Sequence, residues 1–165
     1  MADPARDTRP GLKSAAIVHG RLELVLNNTL AAIEDGSACM LDFLDRAALD
    51  ETTQSRLQVV FEELIANIVR HGFSARSGQS IHVTIAQGPD KVEFTFEDDG
   101  TPFNPLKAPP PPPHASLEKA KVGGLGIALV RKYASQLHYE RPAQRAGGRG
   151  FAPRNRLLVI VPTRV

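Results

Sequence analysis

The chain has 165 residues, 42% of them hydrophobic and 23% charged, with a net charge of +2. That suits one domain with a proper core and is too little charge to imply nucleic-acid binding by itself. A single cysteine, Cys39, excludes an intramolecular disulfide and a cysteine-based zinc cluster, and fits a reducing compartment.

The first stretch, MADPARDTRPGLKS, is polar and lacks the apolar centre of a signal peptide, and no apolar run reaches the length of a membrane span. Residues 1–20 read as a disordered tail, and residues 21–165 as one domain of a cytoplasmic protein with no membrane contact. RLELVL (21–26) places Leu22, Leu24 and Leu26 on one face of a strand. Asn27 to Thr29 offer caps for a helix bearing Leu30, Ile33, Met40, Leu44 and Ala48, with Gly36 as its weak point. A second helix is expected from about Thr53 to Gly72. SIHVTIA (80–86) and KVEFTFED (91–98) alternate with period two around the turn signal QGPD, which predicts a hairpin.

Beyond Gly100 the next 21 residues hold seven of the chain's 13 prolines, five of them consecutive. Such a run favours extended polyproline II, so a long loop separates two ordered parts. GGLGIALVRKYASQL (123–137) then reads as a helix that opens on glycines and buries Ile127, Val130, Tyr133, Ala134 and Leu137. HYER and RLLVIVP close the chain as two strands. The order β-α-α-β-β-loop-α-β-β predicts an α+β fold. It would be a two-layer sandwich of a mixed, mostly antiparallel sheet with helices on one face. Residues 141–165 carry six arginines and no acid, which reads as a solvated basic edge or a docking patch for an acidic partner.

Three segments carry chemistry. In FEELIANIVRHGF (61–73), Glu63, Asn67 and His71 recur every four residues along one shoulder of the apolar stripe. A mid-helix asparagine has a propensity cost and no obvious local gain. His71 before Gly72 also suits plain compensation of the helix dipole. In KVEFTFEDDG, Val92, Phe94 and Phe96 share a face, and parity puts Asp98 on it, where an acid must find a donor. Asp98 would suit a purine's exocyclic amine, or would cap the turn at Gly100. The glycines of GGLGI let backbone N–H groups approach an anion at a helix start.

In that order the segments resemble the three boxes of the GHKL (Bergerat-fold) ATPases. Glu63, Asn67 and His71 match the N-box, DDGTPF with Asp98, Gly100, Pro102 and Phe103 matches the G1-box, and GGLGI matches the G2-box. The small size, Glu63 and the terminal NRLLVIV look most like the RsbW/SpoIIAB group of serine kinases and anti-sigma factors. The resemblance covers roughly residues 20–162. It implies that Asn67 ligates Mg²⁺, that Glu63 is the general base, and that Asp98 accepts from the adenine of ATP. Gly100 would let the base approach closely, and His71 and Phe103 would belong to the nucleotide site. Gly123, Gly124, Leu125 and Gly126 would meet the phosphates. Lys119 or Lys121 would reach in from a proline-rich lid at about 104–122. GGRGFAPRNR (147–156) stands where the family has a glycine–threonine segment.

As partners the resemblance implies an anti-anti-sigma (STAS-type) antagonist phosphorylated on serine, a sigma factor or similar regulator, and a homodimer. Two other readings share the pattern. One is a nucleotide-gated binder that sequesters a regulator with little phosphate transfer. The other is a sensor histidine kinase module, which needs a phosphoacceptor histidine on an upstream helical domain.

Overall fold

The computed structural model describes residues 9–74, 76–107, 125–142 and 154–164. Six strands form one sheet: β1 (Leu12–Val18), β2 (Arg21–Asn27), β3 (Ser80–Gln87), β4 (Lys91–Asp98), β5 (Gln136–Glu140) and β6 (Asn155–Pro162). Their order across the sheet is β1-β2-β3-β4-β6-β5, and every pairing is antiparallel, so the expected parallel component is absent among the described strands. Three helices, α1 (Ala31–Leu44), α2 (Glu51–His71) and α3 (Leu125–Tyr133), supply the second layer.

The alternation read from the sequence is what builds the interface between layers. Leu22, Leu24 and Leu26 join Ile81, Val83 and Ile85, then Val92, Phe94 and Phe96, then Leu157, Val159 and Val161, all buried. Helix α2 lays Leu57, Phe61 and Leu64 across them, and Phe61 meets Phe94 and Phe96 at ring separations of 6.3 and 6.0 Å. Gly36 is a packing requirement, not a flaw. A methyl group there would lie 2.8 Å from the Phe61 ring and 3.0 Å from Leu26, so α1 sits this close to α2 and β2 only without a side chain.

Four expectations need correction. Residues 12–18 are not tail but strand β1, joined to β2 by His19-Gly20, both at positive φ (49° and 76°), as a tight two-residue hairpin requires. The strand is hard to read because only Leu12 is buried; five of its seven residues are exposed on an edge. Asn27 and Asn28 do not cap α1. Asn27 donates to the Pro10 carbonyl, and Asn28 joins the 76–79 loop by donating to Arg76 and accepting from the Gln79 N–H. Ala48 lies past α1 in the left-handed region, and α3 stops at Tyr133, so Leu137 belongs to β5. The polyproline run and most of the 104–122 lid lie outside the described residues, as do residues 1–8.

Candidate functional site

Helix α2 is anchored at its start and works near its end. The Asp50 carboxylate accepts from the Thr53 N–H (2.9 Å) and the Thr53 hydroxyl (2.7 Å), and these bonds hold its pKa below the ordinary aspartate value. Towards the other end, the row predicted from the four-residue spacing climbs out of the interlayer space. Asn67 is buried at 8% exposure, Glu63 is half-buried and His71 is exposed. Glu62, one position away, faces α1, where it accepts from Ser37 (2.9 Å) and Gln58 (2.8 Å), and so takes no part in the row.

Asn67 is the oddity the sequence suggested. Its side-chain amide nitrogen is buried without a hydrogen-bond partner. Leaving such a group unmet costs about 1–3 kcal/mol, so this helix position is built for something other than stability.

Asn67 walls a cavity of about 30 Å³ together with Asp98, Phe103, Tyr139, Asn155 and Leu157. At roughly 10–15 Å³ per water that is room for about two waters. Phe103 lies in the irregular segment after β4 and packs on His71 at a ring separation of 5.7 Å. His71 is exposed and does not line the cavity, which it meets only through Phe103.

Asp98 is where strand parity put it, at 5% exposure on the helix side of the sheet. Its Oδ1 accepts from the Gly100 N–H (2.9 Å) and from Asn155 Nδ2 (2.8 Å); Oδ2 takes neither bond. Burial pushes this carboxyl above its usual pKa, opposed chiefly by the Asn155 and Gly100 hydrogen bonds. The turn-capping use of Asp-Gly is thus real, and it coexists with a carboxylate facing the cavity.

Gly100 must be glycine. A methyl group there would lie 2.7 Å from the Gly72 carbonyl carbon, and the Gly72 oxygen already accepts from the Thr101 N–H at 2.6 Å. Gly100→Ala is expected to destabilise the fold by about 1–3 kcal/mol, because backbone atoms have to give way. Urea unfolding checks this; an unchanged midpoint would mean that the turn relaxes freely.

Helix α3 packs against α2 and brings Gly126 to Glu63. A methyl group on Gly126 would lie 2.6 Å from the Glu63 carboxyl carbon, so the carboxylate fills the space beside the first turn of α3. Leu125 opens that helix, and Arg131 donates to the Leu106 carbonyl, tying α3 to the segment after β4. Lys119, Lys121, Gly123 and Gly124 lie outside the described residues.

Sequence reasoning missed the far wall. Tyr139 and Arg141 donate to Asn155, which in turn donates to Asp98. The sequence signal is its parity with Leu157, Val159 and Val161; the structure adds that Asn155 pairs with Asp98 across β4 and β6.

A family profile described as histidine kinase-like ATPase domain matches residues 26–149. The chain belongs to that family. The serine/threonine-protein kinase BtrW of Bordetella bronchiseptica is 32% identical to this ATPase domain over 105 residues, covering 61% of the chain and 74% of BtrW. The serine-protein kinase RsbW of Listeria monocytogenes is 25% identical over 119 residues, covering 70% of the chain and 76% of RsbW. Among solved structures, the SiaB–SiaC complex from Pseudomonas aeruginosa contains a chain that superposes with a TM-score of 0.54 at 17% identity. The match covers 84% of this chain and 89% of that one, and speaks for the fold.

A histidine kinase-like ATPase domain implies ATP and a divalent cation, and the residues present fit both. Asn67 lines the same cavity as Asp98, and its buried amide nitrogen lacks a partner. Among the described residues no group of three or more His, Cys, Asp or Glu side chains could hold a metal. A hard cation here would depend on the Asn67 amide oxygen, phosphate oxygens and water, a donor set that suits Mg²⁺. No described helix is long and apolar enough to cross a membrane.

Proposed function

We propose that this protein is an ATP-dependent serine/threonine kinase of a partner-switching system. It phosphorylates a serine on an antagonist of the STAS (anti-anti-sigma) type and otherwise holds a sigma factor or similar regulator. A homodimer and a cytoplasmic site of action belong to the same reading, which leans on relatives named as serine kinases. The observation that carries it is Glu63. Its carboxylate stands one helical turn from Asn67, whose buried amide nitrogen is unpartnered, and against the first turn of α3. A protein that only gates binding by nucleotide has no need of a carboxylate there.

The roles follow from placement. Asp98 accepts a hydrogen bond from the adenine amine, and Gly100 donates its N–H to Asp98 while fitting the turn against Gly72. The first turn of α3 turns its unpaired N–H groups and dipole towards the phosphates. Asn67 holds Mg²⁺, which when bound neutralises charge on the transferring phosphoryl group. Glu63 takes the proton from the attacking serine hydroxyl while its oxygen bonds to the γ-phosphorus and ADP departs. A phosphoserine carries about −1.5 to −2 charge at neutral pH, so it would be repelled by Glu63 and would release the antagonist.

The decisive measurement is transfer of labelled phosphate from ATP to a STAS-type antagonist. Labelling on serine is expected, with the antagonist leaving after modification. ATP binding without any transfer would overturn the kinase reading in favour of the nucleotide-gated binder.

A further inference from the structure

Asn155 is 5% exposed at the start of β6, and all its hydrogen-bonding capacity is used. Its Oδ1 accepts from Tyr139 Oη (2.7 Å) and from Arg141 Nη1 (2.7 Å). Its Nδ2 donates to Asp98 Oδ1 (2.8 Å) and to the Thr101 carbonyl (3.0 Å). Tyrosine and arginine both donate here, so the amide end facing them has to be oxygen. The orientation of this asparagine is therefore fixed by chemistry, and its NH₂ has to face Asp98. Arg141 Nη1 also donates to the Gly100 carbonyl (3.0 Å), which straps down the turn that Asp98 caps.

We infer that Asn155, locked by Tyr139 and Arg141, is the positioning residue that makes Asp98 selective for a purine with an exocyclic amine over a 6-oxopurine. This rests on the nucleotide reading above and adds a determinant from β5 and β6 to it. With Oδ1 taken by Asn155 and Gly100, Asp98 cannot rotate, and Oδ2 is left as a fixed acceptor. An amine at purine position 6 donates to that oxygen. A 6-oxo group would bring an acceptor against an acceptor. Without Asn155 the carboxyl is held by the Gly100 N–H alone, and can turn, or take a proton and donate to the 6-oxo group, at less cost. Discrimination then falls even where binding survives. A strut that merely held the strands together would lower affinity for both purines alike, so the ratio of affinities separates the two roles.

The experiment is calorimetric titration of the full chain with ADP and with IDP, for wild type, Asn155→Ala, and the double variant Tyr139→Phe/Arg141→Met. The double variant keeps Asn155 but removes both donors to its Oδ1, leaving it held through Nδ2 alone, and stands in if Asn155→Ala fails to fold. The wild type is expected to prefer ADP. The ADP-to-IDP preference should fall about tenfold in Asn155→Ala and move the same way in the double variant, as for a hydrogen bond to a charged group. An unchanged ratio in the folded variants, even with both affinities reduced, overturns the inference and leaves the nucleotide reading intact. A wild type that binds neither nucleotide overturns the nucleotide reading itself.

Discussion

Glu63→Gln is expected to abolish phosphoryl transfer while nucleotide and antagonist binding persist. The substitution is nearly isosteric, and Glu63 is half-buried against Gly126, so little packing is lost. What disappears is a group able to accept the serine proton. General-base catalysis contributes roughly 10²–10⁴-fold, so kcat should fall by about that factor. KM for ATP should stay nearly constant, because the role proposed for Glu63 is towards the hydroxyl acceptor and not the base or ribose. Removing the carboxylate also removes repulsion at the first turn of α3, so ATP binding is expected to hold or tighten slightly. Single-turnover transfer of labelled phosphate, with calorimetry of ATP on the same variant, checks both halves. Transfer at the wild-type rate would take the base role from Glu63. Loss of ATP binding in parallel would make Glu63 a structural support of α3.

The parts of this site that the sequence disclosed share one property: a polar residue breaks an otherwise strict apolar period. Asn67 does so on a helix shoulder, where its amide nitrogen is buried without a partner. Asp98 does so at the end of Val92, Phe94 and Phe96, and lies buried on their face. Asn155 breaks the β6 period in the same way and was passed over, since its meaning depends on lying opposite Asp98 across two strands distant in sequence. The β3–β4 hairpin was readable because each strand buries one whole face. Strand β1 was not, because an edge strand of small exposed residues has almost no hydrophobic alternation to show. His71 was legible as part of a spacing but not in its role, since contact with Phe103 is settled by where the segment after β4 returns. The antiparallel character of the whole sheet is likewise a matter of long-range connection, which local patterns do not encode.

Asp98→Asn is expected to weaken adenine nucleotides by roughly 10- to 100-fold, in keeping with the loss of a hydrogen bond to a charged acceptor. An asparagine there would spend its oxygen on the Gly100 N–H and Asn155 Nδ2, the bonds that Asp98 Oδ1 now accepts. Its NH₂ would then face the cavity and meet the adenine amine donor to donor. The wild-type carboxyl also links binding and stability to pH in opposite senses. Burial raises its folded pKa above the unfolded value, so the folded state favours the protonated form. The stability this group contributes is fully present below the unfolded pKa and is lost as pH rises through the raised, folded one. Adenine binding needs the ionised acceptor, so affinity weakens as pH falls through that same raised value. Acidifying the wild type from neutrality should therefore weaken ADP while Asp98's own share of folding stability grows. Asp98→Asn, which cannot titrate, should lose both dependences. The share that belongs to Asp98 is the difference between wild type and Asp98→Asn in urea unfolding at each pH, set beside ADP titrations over the same range. If the two proteins show the same pH slope in ADP affinity, the acceptor role belongs to another group, and the buried carboxylate serves the Gly100 turn alone.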